Sequence, residues 1–142
     1  MGLKINRDKT RVVNLNAEGA SLDFLGYSFR YERDLYGRPR KYLNWGVSAK
    51  SVEKEREKIR TMVNQRWSFW PLTHLLGWLN EHLNGWTNYF RLVYPRVPFR
   101  KINRFVRNRL ARHLRRRSQR AYRVPESKTL YAHLKEQGLI YL

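Results

Sequence analysis

Residues 96–123 read RVPFRKINRFVRNRLARHLRRRSQRAYR, and the arrangement of apolar and basic side chains within them sets how the rest of the chain is read. At roughly 100° per residue, Phe99, Ile102, Val106, Leu110 and Leu114 fall on one arc of a helix, while Arg100, Arg104, Arg107, Arg112, Arg115 and Arg116 fall on the other. A helix beginning near Phe99 is therefore expected, one side buried in a core and the other a cationic face. Twelve of these 28 positions are Arg or Lys, eleven of them Arg, and no acidic residue occurs between Glu81 and Glu126. A one-signed run repels itself and costs stability, so a run that also keeps its apolar period points to a polyanion as its counterpart. Arginine, with its planar fork of donors, suits bidentate contact with phosphate and stacking on bases better than lysine does. Phe105 projects among the basic side chains, where it can stack on a base or cover a neighbouring segment. The nucleic-acid-binding candidates on this helix are Arg100, Lys101, Arg104, Phe105, Arg107, Arg109, Arg112, Arg115, Arg116 and Arg117.

Two helices are expected upstream. After Pro71, which suits a first helical turn, Leu72, Leu75, Leu76, Leu79, Leu83, Trp86 and Phe90 form one apolar stripe, and Tyr94–Pro98 with its two prolines ends it. Gly77 and Gly85 weaken this helix, which suggests a close approach or a kink. Before it, SAKSVEKEREKIRTMVNQRW (residues 48–67) offers Ser48 or Ser51 as N-cap. It places Glu53, Glu55 and Glu57 near the positive helix end and spaces Val52, Ile59, Met62, Val63 and Trp67 helically.

Further towards the N-terminus the period changes to two. Leu22, Phe24, Tyr27, Phe29 and Tyr31 make one arm of a β-hairpin, with Gly26 marking a bulge or a close backbone approach. The turn is Asp34–Pro39 and the second arm runs through Arg40, Tyr42 and Asn44; a short strand at Thr10–Leu15 is the weaker expectation. Beyond Pro125, Leu130 and Leu134 with a stop at Gly138 indicate a short helix and an apolar end. The fold class is thus α+β, mainly α: an N-terminal β-hairpin, a three-helix bundle and a short C-terminal helix.

The whole chain of 142 residues carries thirty Lys and Arg against eleven acids, a net charge of +19. Five Trp, nine Tyr and six Phe are too many for a disordered basic tail, so most of the chain is expected to fold. The absence of Cys rules out disulfides, thiolate metal sites and a cysteine nucleophile. No apolar run is long enough to span a bilayer, and MGLKINRDKT lacks the apolar core of a signal peptide, so an intracellular protein without a membrane partner is expected, bacterial cytoplasmic or organellar. His74 and His82 stand eight apart with only Glu81 nearby, poor grounds for a metal site. No Gly-rich phosphate loop, Ser-His-Asp set or paired carboxylates occur.

Three stretches, in order, resemble the C-terminal region of group II intron reverse transcriptases, also called maturases. Residues 2–10 (GLKINRDKT) resemble the GLxxNxxKT block at the end of the palm, and residues 23–27 (DFLGY) resemble the FLG block of the primer grip. Residues 79–91 (LNEHLNGWTNYFR) resemble the LNxxLRGWxNYFR signature of the maturase-specific, or thumb, region. The resemblance covers nearly the entire chain, and the order and spacing of the blocks make it specific. It implies a palm-end remnant and primer-grip-like hairpin in residues 1–47, a three-helix thumb in residues 48–124 that grips intron RNA and the template–primer duplex, and the start of a DNA-binding tail in residues 125–142. It implies a primer-grip-like role for Phe24, Leu25 and Gly26, identifies Lys9 with the family-block lysine, and offers Asn88, Tyr89 and Arg91 to RNA.

The departures bear on chemistry. Polymerisation needs two divalent metals held by palm carboxylates including a Tyr-x-Asp-Asp pair, yet the only Asp residues are Asp8, Asp23 and Asp34. No catalytic residue, metal or cofactor is therefore expected in this chain; Mg²⁺ would belong to the missing palm or to the RNA. The family's Arg before Gly-Trp is Asn84 here. The expected function is binding of structured group II intron RNA to assist splicing in a mobile genetic element, with DNA or an RNA–DNA duplex as further partners. The alternative is a reverse-transcriptase thumb that supports DNA synthesis only with a palm supplied in trans or by a longer chain.

Overall fold

A computed structural model describes residues 12–93 and 95–142, which divide into two compact units, one ending at Ser48 and the other spanning Ala49–Leu142. Residues 2–10, with Lys9, lie outside the described residues. The protein is mixed and mainly helical: among the described residues a three-stranded antiparallel sheet is followed by four α-helices.

In the first unit β1 (Leu22–Phe24), β2 (Tyr27–Arg33) and β3 (Lys41–Val47) pair in that order. The arm expected to run unbroken from Leu22 to Tyr31 is instead a hairpin of its own. Phe24 faces Tyr27 across the ladder, and Leu25 and Gly26 between them have φ of 50° and 86°. Two consecutive left-handed residues define the primed turn whose twist matches that of paired strands. Gly26 is thus a turn residue and not a bulge: it has no Cβ to clash at positive φ, whereas Leu25 has one and carries the strain. Replacing Leu25 by Asn, which tolerates this conformation, should stabilise the hairpin by about 1 kcal/mol. Slower amide exchange in Tyr27–Arg33 would register it, and unchanged exchange would refute the strain.

The second turn is held by the Asp34 carboxylate, which accepts the Tyr36 N–H at 3.3 Å, and by the Gly37 N–H donating to the Asp34 carbonyl at 3.2 Å. Trp45 packs on Tyr27 and Phe29 of β2, with ring centroids 5.8 and 6.0 Å apart. Residues 12–15 form no strand, against the expectation at Thr10–Leu15. The Asn14 side chain accepts the Asn16 N–H at 3.0 Å and the chain turns there, a local bond that competes with strand pairing.

The second unit contains α1 (Ala49–Met62), a 3-10 turn at Gln65–Trp67, α2 (Leu72–Tyr89), α3 (Arg96–Arg116) and α4 (Leu130–Glu136). Its core is the set of stripes read from the sequence: Val52, Ile59 and Met62 from α1, five leucines from α2, and Ile102, Val106, Leu110 and Leu114 from α3. Each such side chain contributes roughly 2 kcal/mol on burial. Three local expectations are corrected. The first turn of α1 holds no acid; Glu53 instead pairs with Arg56 at 3.3 Å and Arg60 at 3.5 Å, and Glu57 pairs with Arg60. Helix α3 starts at Arg96, because Pro98 falls in the first turn, where its missing N–H has no partner to lose. Gly77 and Gly85 mark no close approach, since a Cβ at either meets only open space.

Helix α4 is capped at both ends. The Thr129 hydroxyl accepts the Ala132 N–H at 3.2 Å, and Gly138 at φ 110° closes the C-terminus by the paired bonds Leu139 N–H to Leu134 carbonyl at 2.9 Å and Gly138 N–H to Lys135 carbonyl at 3.1 Å. The segment after it is clamped by two carboxamides. Asn80 of α2 donates to the Gly138 carbonyl at 2.6 Å and accepts the Ile140 N–H at 3.1 Å. Asn103 of α3 donates to the Leu142 carbonyl and accepts the Leu142 N–H, both at 2.9 Å. Alternate residues of the segment thus find on two helices the backbone-like partners a strand would supply, and Leu139 is buried beneath.

Candidate nucleic-acid interface

Because α3 buries Ile102, Val106, Leu110, His113 and Leu114, the opposite arc must face solvent. Arg100, Lys101, Arg104, Arg112, Arg115 and Arg116 are all exposed along it. Arg100 and Arg115 are fifteen residues apart, so the row extends about 22 Å at 1.5 Å per residue. Among the described residues, the ion pairs formed by carboxylates lie in the sheet and its second turn, between α1 and α2, inside α1, and between Lys128 and Glu136; none reaches a cation of α3. Among the described residues the row is therefore uncompensated positive charge. Arg107, half-buried at its edge, lies close enough to Tyr141 to oppose the rise in that phenol's pKa caused mainly by burial and then by Tyr131.

Two of the candidate arginines turn inward. The Arg109 guanidinium donates to the Val63 carbonyl at 3.1 Å and the Arg60 carbonyl at 3.5 Å, satisfying orphan groups at the C-terminal end of α1. Burial lowers its pKa, and the neighbouring charges of Arg112, Arg60 and Arg116 lower it further. Arg117 donates to the Trp70 carbonyl at 2.7 Å. Both tie elements of the helical unit together, which separates them from the six exposed cations. Phe105 is half-buried and lies beneath α1, with the guanidinium carbons of Arg56 and Arg60 at 5.6 and 5.2 Å from its ring centre. Of the two roles open to it, it covers a neighbouring segment.

At the other end of α3, Trp86 of α2 meets Phe99 with centroids 5.5 Å apart and Phe90 at 4.9 Å, and Phe90 is buried. This contact brings the last turn of α2 against the first turn of α3. Asn88, Tyr89 and Arg91 are exposed there, near the start of the cationic row. In the first unit Phe24 and Leu25 are exposed at the two-residue turn closed by Gly26.

The imidazoles have separate structural uses. The Nε2 of His82 lies 2.9 and 3.0 Å from the two carboxylate oxygens of Glu55, a residue only 4% exposed within the α1 stripe. Burial raises the Glu55 pKa, while the charge and hydrogen bond of His82, and then the charge of Lys58, pull it back. His74 meets Trp70 edge to face with centroids 4.6 Å apart. His113, buried, has its pKa lowered by burial and then by Arg117 and Arg109. Among the described residues no three of His, Asp and Glu come together as metal ligands. Asp34 is already engaged at its turn with Tyr36 and with Arg38 at 3.9 Å.

No helix is long and apolar enough to cross a membrane among the described residues. The sequence alone did not expose the Asn80 and Asn103 clamps or the Glu55–His82 pair. Their only signal is a polar residue at or beside a helical apolar stripe. A family model described as the group II intron maturase-specific domain matches residues 52–131, more than half of the chain and the span from α1 into α4. Comparison with curated proteins and with solved structures gives no significant match.

Proposed function

The chain belongs to the family of the group II intron maturase-specific domain, and from that premise we propose that it binds structured intron RNA along α3 and assists splicing by holding the RNA in its folded form. The observation that carries this reading is the exposed row Arg100, Lys101, Arg104, Arg112, Arg115 and Arg116, which no carboxylate among the described residues neutralises. A rigid helix presenting guanidinium groups on one face matches the phosphate backbone of folded RNA, which is read mainly by shape and phosphate contact. Binding is electrostatic first, with log K falling against log salt by roughly 0.7 to 0.9 per phosphate neutralised.

The test is a binding series against a group II intron, an unrelated structured RNA and duplex DNA, each at two salt concentrations. The reading requires a preference for the intron that survives at the higher salt. Equal affinity for all three, vanishing with salt, would reduce the protein to a general polyanion binder and refute it. The exposed Phe24 and Leu25 at the turn resembling a primer grip favour a second reading, a reverse-transcriptase thumb. Primer extension restored by mixing with a palm-bearing chain distinguishes that role.

A further inference from the structure

At the C-terminal end of α3, beyond the exposed row, lies a cavity of about 890 Å³ whose lining includes Phe69, Leu114, Arg117, Arg120, Tyr122 and Arg123, and no acidic residue. Its size suits a small organic ligand rather than a water or a simple ion. Phe69 is 74% exposed, a high value for a phenylalanine beside a cluster of tryptophans. Trp67 and Trp70 brace it from the protein side, each with its centroid 6.4 Å away at interplanar angles of 46° and 84°. Trp67 and Trp70 in turn pack on Trp78, at 5.9 and 5.6 Å. The exposed ring is therefore mounted on a rigid aromatic support.

The other walls complete a specific chemistry. The Tyr122 hydroxyl is bonded to the His133 ring at 2.7 Å, which fixes that phenol. Arg117 is anchored on the Trp70 carbonyl, so its charge is fixed at the rim, while Arg120 and Arg123 are exposed. A flat apolar face, a fixed cation and two exposed guanidinium groups in one concavity are the elements that take a base by stacking and its phosphates by charge. Inside a duplex both faces of a base are covered by its stacked neighbours, so the interior of a duplex cannot use this arrangement.

We propose that this cavity receives an unpaired nucleotide of bound RNA, its base stacked on Phe69 and its flanking phosphates held by Arg120 and Arg123. The proposal rests on the RNA-binding reading above and adds to it a site for a loop or bulge, separate from the phosphate-tracking row of α3.

The experiment titrates the full chain with a short single-stranded oligoribonucleotide carrying 2-aminopurine, and with a blunt RNA duplex of the same sequence. Phe69→Ala should weaken single-strand binding about tenfold or more and leave duplex binding unchanged. Phe69→Trp should retain single-strand affinity. Arg120→Gln together with Arg123→Gln should flatten the single-strand salt slope by roughly 1.4. Unchanged single-strand affinity in Phe69→Ala, or an equal loss for the duplex, overturns the cavity assignment while leaving binding along α3 intact. Failure of the unaltered protein to bind either RNA overturns both readings together.

Discussion

Reversing Arg104 and Arg115 to Glu should lower affinity for intron RNA about a hundredfold at moderate salt and flatten the salt slope by roughly 1.5. Each loses a charge-assisted contact of about 1.5 kcal/mol, and each tenfold change in affinity corresponds to about 1.4 kcal/mol. Both side chains are exposed on the arc opposite the core, and among the described residues neither is hydrogen-bonded or ion-paired to the rest of the helical unit. The fold should therefore survive. Two acids within a one-signed surface relieve self-repulsion, so thermal stability should hold or rise while binding collapses. That opposition separates a binding defect from a folding defect. A double variant that binds intron RNA as tightly as the unaltered protein, with an unchanged salt slope, would remove α3 as the interface.

His82→Ala should destabilise the helical unit by about 2 to 3 kcal/mol near neutral pH, because it leaves the Glu55 carboxylate buried between α1 and α2 without its partner. The loss has a definite pH dependence. Burial raises the folded-state pKa of Glu55, so folding favours its protonated form, and the stability from this group is fully present below the ordinary carboxylate value. It is lost as pH climbs through the raised folded value. His82 opposes that rise, so removing it lifts the folded value further. The deficit of the variant should then widen as pH increases through this window and close in acid, where the carboxyl is neutral. Denaturant melts of both proteins across the acid to neutral range measure the difference. A Glu55→Gln background should suppress the pH dependence, and a deficit that stays constant with pH would show that His82 acts by packing alone.

The architecture was largely legible because its helices are long and strongly amphipathic. Leu72, Leu75, Leu76, Leu79 and Leu83 repeat with a helical period, as do Ile102, Val106 and Leu110, and all are buried. Gly138 announced the end of α4 because only a residue without Cβ readily takes the φ it adopts. The turn at Leu25–Gly26 escaped because Leu rarely occupies a left-handed position, so alternation read through it as one strand. Helix α3 starts at Arg96 rather than near Phe99 because Pro98 lies in the first turn, where proline costs a helix little and so does not break it.

Among the candidate side chains, charge and period placed Arg100, Arg104, Arg112, Arg115 and Arg116 on an exposed face; Lys101 is exposed beside them, while Arg107, read onto the same arc, is half-buried at its edge. Charge alone did not separate Arg109 and Arg117 from these. At 100° per residue Arg109 lies at the boundary of the buried arc, where a guanidinium can reach water or a neighbouring carbonyl equally well, while Arg117 continues the buried arc itself, just past its last core residue, Leu114. Asn80 and Asn103 likewise gave no sign of bonding residues more than thirty positions away, at Gly138, Ile140 and Leu142.

Helix existence, the buried stripes and the excess of cations on α3 follow from composition and period, because each depends on residues a few positions apart on one element. Which arginines stay in solvent, which carboxylate is buried against which imidazole, and where an aromatic ring faces a cavity follow only from the packing of α1, α2 and α3 with the segment behind α4. Those contacts join residues tens of positions apart, and no local rule encodes the partner across such a distance.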